Sequence, residues 1–304
     1  RVTSVKSTRA SDGLSDSDNG NWTYKLGANW ALNDTIRFRA SYGTSFRAPA
    51  LFELFLADET SFPSQRTIDP CIQWANNLAL GNISQRIADN CAADGIPSNH
   101  SGAGVSATAT SRGGIGNLRS ETSRAMVVGG VLSPKFNFLP DTSINISVDY
   151  FDIRVKGEVT QLGARTIVFG CYNSDNFPND PLCGLFSRGQ TAAPNNIAEV
   201  RDQFVNIARQ RNSGVDVNVN VRHDLGKLGR LSLTADMTWQ TKRLSQLLPS
   251  SPVEDDNGEV GSPRWVGDFR LSWTGTGGTT LFYGMNVIGG ASSLQEFLDR
   301  NGDQ

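Results

Sequence analysis

Residues 34–54 read Asp-Thr-Ile-Arg-Phe-Arg-Ala-Ser-Tyr-Gly-Thr-Ser-Phe-Arg-Ala-Pro-Ala-Leu-Phe-Glu-Leu. The first half alternates. Ile36, Phe38, Ala40 and Tyr42 fall on one side of an extended chain, and Arg37, Arg39, Ser41 and Gly43 on the other. Successive side chains of a strand point to opposite faces, so this is a strand with one apolar and one hydrated face. Two architectures use such a strand: a soluble sandwich whose polar face meets bulk water, and a membrane barrel whose polar face lines a wet lumen. Pro49 cannot donate to a ladder and holds Ala48 extended, so regular pairing is expected to stop there.

The same period recurs outward from this stretch. Trp22, Tyr24, Leu26, Ala28 and Trp30 alternate with Thr23, Lys25, Gly27 and Asn29, and the short link at 31–34 makes a hairpin with the Ile36 strand. Ile144, Ile146, Val148 and Tyr150 alternate with Asn145, Ser147 and Asp149. Val215, Val217, Val219 and Val221 alternate with Asp216, Asn218, Asn220 and Arg222. Further alternating runs cover 231–240, 265–273 and 281–287, which predicts about eight strands of roughly ten residues, the length of a tilted membrane crossing. Short connections at 31–34, 134–142, 223–230 and 275–278 alternate with long ones at 47–117, 157–203 and 241–263. Strict alternation puts all long loops on one rim, as in an outer-membrane barrel, whereas a Greek-key sandwich has no reason to sort them. Ser11–Gly20 reads as a solvated loop, and Leu78–Cys91 as room for a short helix.

Composition narrows the function classes. The 304 residues carry 28 Lys and Arg against 30 Asp and Glu, a balance that does not point to nucleic acid. Glycine is frequent, at 31 residues, which suits many turns. Mean hydropathy is −0.32, and no apolar run approaches the ~20 residues of a membrane helix. No phosphate-binding glycine loop or nucleophile elbow is present, and His100 and His223 lack the spacing of a metal cluster, so neither an enzyme nor a cofactor is expected. The inward residues Arg37, Arg39, Asp149, Asp216, Asp236, Asp268 and Arg270 read as a neutralised lumen wall. The polar ending Asp299–Gln304 and the absence of an opening signal segment are read as those of an internal piece of a longer chain.

Four cysteines form two local pairs, Cys71/Cys91 and Cys171/Cys183. Two readings stand: four free thiols, or a disulfide within each pair. The second is expected because each pair lies inside its own long loop, where a bond removes about 3 kcal/mol of loop entropy and implies an oxidising compartment.

Gly43–Leu54 resembles the SFRAP…L.EL signature of TonB-dependent outer-membrane receptors. Asn117-Leu-Arg-Ser-Glu-Thr-Ser123 resembles the NL.PE.S motif that follows the outer loop in that family, with Arg119-Ser120 where Lys-Pro is frequent. Val148–Ile153 resembles its YF.I strand. The resemblance implies an all-β, antiparallel up-and-down transmembrane barrel of which residues 1–304 are a part, with no plug domain in this chain. It further implies a receptor in the outer membrane of a Gram-negative bacterium, surrounded by lipid. Such a receptor binds a scarce small-molecule nutrient (siderophore, cobalamin or oligosaccharide) at its outer loops. It imports the nutrient with energy from the TonB complex acting through a plug. Phe62, Trp74, Phe177 and Phe186 are then loop aromatics that either stack on the ligand or anchor the loops. A passive porin or adhesive barrel and a soluble secreted β-protein are the alternatives.

Overall fold

The computed structural model describes residues 1–190, 193–248 and 253–291. In chain order the elements are β1 (Val2–Thr8), β2 (Ser15–Trp22), β3 (Lys25–Ala31), β4 (Ile36–Arg47), α1 (Leu51–Phe55), β5 (Glu59–Ser61), α2 (Gln65–Ile68), α3 (Trp74–Ala79), α4 (Gln85–Ala93), β6 (Thr108–Arg112), β7 (Glu121–Leu132) and β8 (Thr142–Thr160). They continue with α5 (Ala164–Tyr172), β9 (Phe186–Gln190), β10 (Ala193–Gln203), β11 (Val205–Asp224), β12 (Arg230–Gln246), β13 (Glu254–Asp255), β14 (Trp265–Thr274) and β15 (Thr280–Ile288).

Eight strands form one open antiparallel sheet in the order β15-β14-β12-β11-β8-β7-β4-β3, and β13 extends it beside β12. Every neighbour on this path except the β4–β7, β8–β11 and β12–β14 pairs is joined by a short link. Those three pairs carry the long connections 48–120, 161–204 and 247–264, all on the opposite rim. The turn after β11 needs glycine: Gly226 and Gly229 both hold positive φ, +60° and +99°.

The register aligns the apolar parity across the whole sheet. Trp30, Phe38, Gly130, Val148, Val217, Met237, Gly267 and Val287 stand in one row. The adjacent row of the same face holds Ala28, Ala40, Val128, Tyr150, Val215, Trp239 and Trp265. The large side chains of these rows are not covered: Val148 is 45% and Trp239 58% exposed. A sandwich would bury this face, so the sheet is of the lipid-facing kind.

The opposite parity is polar and internally paired. Arg39 Nε donates to Asp149 Oδ1 at 2.7 Å. The pair spans β7, and the residue directly between them is Gly129. A Cβ there would lie 2.2 Å from Asp149 Oδ1, so only glycine lets the ion pair cross. Thr238 Oγ1 donates to Asp216 at 2.7 Å, Asn218 to Asp236, and Arg270 Nε lies 2.8 Å from Asp268. Of the predicted wall residues, Arg39 with Asp149 and Arg270 with Asp268 are ion pairs, while Asp216 and Asp236 accept from neutral side chains.

Three readings of the sequence are corrected. Ser11–Gly20 is not all loop, because Ser15–Trp22 pairs with β1; its polar alternation (Ser, Asp, Asn) carries no apolar signal to betray a strand. The run from Asn21 to Trp30 is broken at 23–24, so Trp22 belongs to β2. The strands are also longer than a crossing: β11 has 20 residues and β8 has 19. Their outer ends lose the apolar alternation and so read as loop. The ending 299–304 lies outside the described residues.

The two faces give opposite responses to one charge. Val217→Arg should cost about 2–4 kcal/mol at mid-depth, while Asn218→Arg, one residue on and beside Asp236, should cost far less. Folding into lipid vesicles measures both, and equal tolerance would remove the barrel reading.

Candidate functional site

The rim that carries the long connections holds the candidate site, and it is built as one lobe. The connections 48–120 and 161–204 do not fold separately. β6 from the first pairs in parallel with β10 from the second, giving the four-stranded sheet β5-β6-β10-β9. Beneath it Ile68, Ile87, Ile96, Ile167, Val168 and Ile197, drawn from both connections, share one apolar core. Gln65 clamps the seam by copying a peptide: its Nε2 donates to Ile197 O at 2.8 Å, and its Oε1 accepts from Ile197 N at 3.0 Å. The helix expected within Leu78–Cys91 is α4, with Ile87 buried and Ser84 capping it through Ile87 N.

Both cysteine pairs are bonded, Cys71 to Cys91 and Cys171 to Cys183. Cys71, Cys91 and Cys171 are fully buried in the shared core, and each disulfide closes one connection on itself, one in 48–120 and one in 161–204.

A buried charge network crosses the same seam. Arg188 on β9 grips Asp69 with two bonds of 2.7 Å and donates from Nε to the Tyr172 hydroxyl at 2.7 Å. The Tyr172 hydroxyl donates to Asp94 at 2.5 Å; burial pushes this phenol's pKa up, which keeps it a donor. His100 sits 3.7 Å from Asp69 with its Nε2 buried and unpartnered among the described residues. Burial, opposed by Asp69 and aided by Arg188, pushes its pKa below the ordinary value.

A second knot ties the lobe to the sheet, and it joins the two sequence motifs. Arg47, at the end of β4, donates to Glu121 Oε2 at 2.8 Å and to both oxygens of Glu53 at 3.1 Å. Glu53 also accepts from Ala50 N at 2.7 Å, and Glu121 from Val159 N at 2.8 Å. Leu54 and Leu118 pack with Val159 and Phe204. Gly113 and Gly114 press on this point: a Cβ would lie 2.3 Å from Leu54 O and 2.4 Å from Phe204 O respectively. Arg47, Glu53, Leu54, Leu118 and Glu121 of the two motifs therefore anchor the lobe, while Leu51 stays exposed.

The four loop aromatics divide. Phe177 stacks on Tyr172 at 5.3 Å between centroids, and Phe186 lies 6.0 Å from it. Trp74 donates its indole N–H to Ile96 O at 3.0 Å and packs on the core. Phe62 is 70% exposed. Two hollows open on the lobe. One, of about 450 Å³, is lined by Glu158, Glu254 and Arg209 among others. The other, of about 370 Å³, lies at the seam and offers Arg66, Arg165, Gln73, Asn77, Asn82 and Phe169, with Asp69 also on its wall. The Arg165 guanidinium stands 4.1 Å over the Phe169 ring. Sequence reasoning missed these residues because Arg66 and Arg165 are 99 positions apart and meet only through the fused core. Among the described residues, no group of three or more His, Cys, Asp or Glu is placed to hold a metal ion.

Two predictions follow the buried network. Arg188→Met leaves Asp69 charged and dry and should destabilise the lobe by about 3–5 kcal/mol, read as faster proteolysis within 48–120 and 161–204. Below about pH 6.5 the unfolded chain takes a proton on His100 that the folded lobe resists. Protection of the lobe should therefore fall as pH drops through that value and stay flat above it. His100→Gln should remove the dependence, measured by hydrogen exchange across the range.

The fold has solved counterparts. A double mutant of the ferric enterobactin receptor PfeA of Pseudomonas aeruginosa matches with a TM-score of 0.53 at 15% identity, over 90% of this chain and 29% of that one. PfeA in complex with BCV-L6 matches with a TM-score of 0.52 at 16% identity, over the same shares. The chain thus spans less than a third of the length of these receptors. No curated protein sequence matches it. The family model described as TonB dependent receptor-like, beta-barrel, matches residues 1–302, and the chain belongs to that family.

Proposed function

We propose that this chain is part of a Gram-negative outer-membrane receptor that captures an anionic, oxygen-rich nutrient chelate on its stapled outer lobe. Import then draws energy from the TonB complex, acting through a plug that other sequence supplies. Strands outside this chain close the barrel against β3 and β15. No catalytic step is assigned to it.

The observation that carries the reading is the seam hollow. It presents two guanidiniums, three side-chain amides and an aromatic ring at the water-facing end of a lipid-exposed sheet. Cations and amide donors suit carboxylate, catecholate or hydroxamate oxygens, and a ring adds stacking. The larger hollow sets two carboxylates against one guanidinium and suits an anion less well than the seam, where the one carboxylate, Asp69, is already held by Arg188. A ferric siderophore is the ligand class that best fits this donor set. PfeA, whose fold this chain shares in part, is a ferric enterobactin receptor. Phe62, exposed on the lobe, is a further candidate contact, while Trp74, Phe177 and Phe186 hold the lobe's shape.

The test is growth of a strain lacking the full-length gene, supplied with ferric chelates, cobalamin or oligosaccharides as sole sources of iron, cofactor or carbon. Complementation should restore growth on an anionic ferric chelate only. Arg66→Glu should reduce uptake at least tenfold, which is the loss of about 1.4 kcal/mol from one charge-assisted contact. Uptake that persists in a strain without TonB would replace this reading with a passive barrel.

A further inference from the structure

The lipid-facing parity does not stay apolar to its end. Beyond Tyr150, Val215 and Trp239, the next row of that face pairs Asp152 with Met126 and Ser213. The row after it sets Arg124, Arg154 and Arg211 side by side on β7, β8 and β11. One row further, Lys156 on β8 stands directly opposite Arg209 on β11. Neighbouring strands are about 4.8 Å apart, so five cations occupy a patch two rows deep and three strands wide.

Like charges directly opposite one another destabilise a sheet, and the described residues relieve the patch only in part. Asp152 accepts from Arg154 at 2.9 Å and from Arg211 at 2.7 Å, one carboxylate shared by two guanidiniums. Asp255 lies on the same side, opposite Leu244, but its carboxylate accepts the amides of Arg243 and Asn257. Arg124, Lys156 and Arg209 have no ion pair among the described residues. The chain as a whole is net negative, at −2, so this local excess is not a reflection of composition. Two hollows break the same surface: one of about 200 Å³ between Tyr42, Arg124, Met126, Asp152 and Arg154, and one of about 170 Å³ beside Lys156, Arg209 and Arg211.

Position decides the occupant. The patch begins where the aromatic row ends, on the rim of the long loops, and it points away from the lumen. A nutrient passing through the barrel does not meet it; the polar edge of the outer leaflet does. We infer that Arg124, Arg154, Arg211, Lys156 and Arg209 form a seat for the phosphate groups of an outer-leaflet glycolipid, with Met126 and Tyr42 against its upper acyl chain. Guanidiniums bind phosphate through paired N–H donors, which explains three arginines in one row.

The inference rests on the outer-membrane reading above, and the test separates the two. The full-length receptor is placed in nanodiscs and titrated with lipid A, a bis-phosphorylated glycolipid, and with its fully dephosphorylated form. Each cation near a phosphate-bearing surface is worth roughly fivefold in affinity, so Arg124→Gln/Arg154→Gln/Arg211→Gln should weaken lipid A binding by about a hundredfold. The single change Arg124→Gln, which breaks no ion pair within the protein, should weaken it about fivefold. Arg37→Gln, on the lumen parity, should leave it unchanged. Preference for lipid A over the dephosphorylated form should fall as salt rises. Equal binding by wild type and both variants, or equal binding of the two lipids, overturns the seat while leaving the barrel intact. Failure of the wild type to enter the bilayer overturns both. Loss of a co-purifying protein in place of lipid would assign the patch to a protein partner and overturn the lipid.

Discussion

Backbone polar groups have no water to bond with inside hydrocarbon, so a chain that crosses with strands must pair each one with its neighbours. That constraint fixes the rest of this structure. Continuous pairing from β3 to β15 locks one register, and one register locks one parity. Once Val217 points to lipid, Phe38, Val148 and Met237 must do so too. The polar parity is then forced together on the other face. There Arg39 meets Asp149 across Gly129, and the thin side-chain layer over that glycine is a consequence of the pairing rather than an independent choice. The same parity carried past the bilayer edge places arginines where valines stood.

The outer loops obey a different economy. A 73-residue connection left flexible would lose much entropy on meeting any ligand. Here two connections from different strand pairs instead build a common core, with a parallel pair β6–β10 that neither could make alone. Parallel neighbours ordinarily need a crossover within one chain segment; the barrel itself supplies it, because β7 and β8 carry the chain down and back between β6 and β10. The lobe is thus pre-ordered by the sheet below it and by its disulfides. Its buried charges, Asp69 and Arg188, tolerate desolvation only as a pair. The seam is therefore also where the lobe is most easily undone.

Legibility followed the strength of the period. Val215–Val221 was plain in the sequence because lipid demands an apolar residue at every second position and the lumen demands the reverse. The rim assignment was plain as well, since it needs only connection lengths. The two disulfides were legible as local pairs. What the sequence hid is non-local. Nothing in Gln65 announces Ile197 as its partner, 132 residues away, and Arg66 and Arg165 are unremarkable until α2 and α5 pack together. Strand ends were hidden for a related reason: at their outer ends β8 and β11 carry cations on one face and pack against the lobe through Val159, Val205 and Ile207, so the simple alternation that marks a strand vanishes while the hydrogen bonding continues.

The motif that made the fold recognisable is also the part least able to choose a ligand. Glu53 and Glu121 are both nearly buried, at 8% and 11% side-chain exposure, and both depend on the single guanidinium of Arg47. Replacing Arg47 leaves two buried carboxylates without a counterion, and replacing either glutamate strips the acceptor from a backbone amide, Ala50 N or Val159 N, so each is held by stability whatever the lobe captures. On the proposed function, selectivity then comes from residues whose replacement costs the fold little. Arg66 and Phe62, set in the lobe's surface and outside both knots, are of that kind. A receptor built this way can exchange its cargo by changing the seam while the anchor beneath it stays fixed.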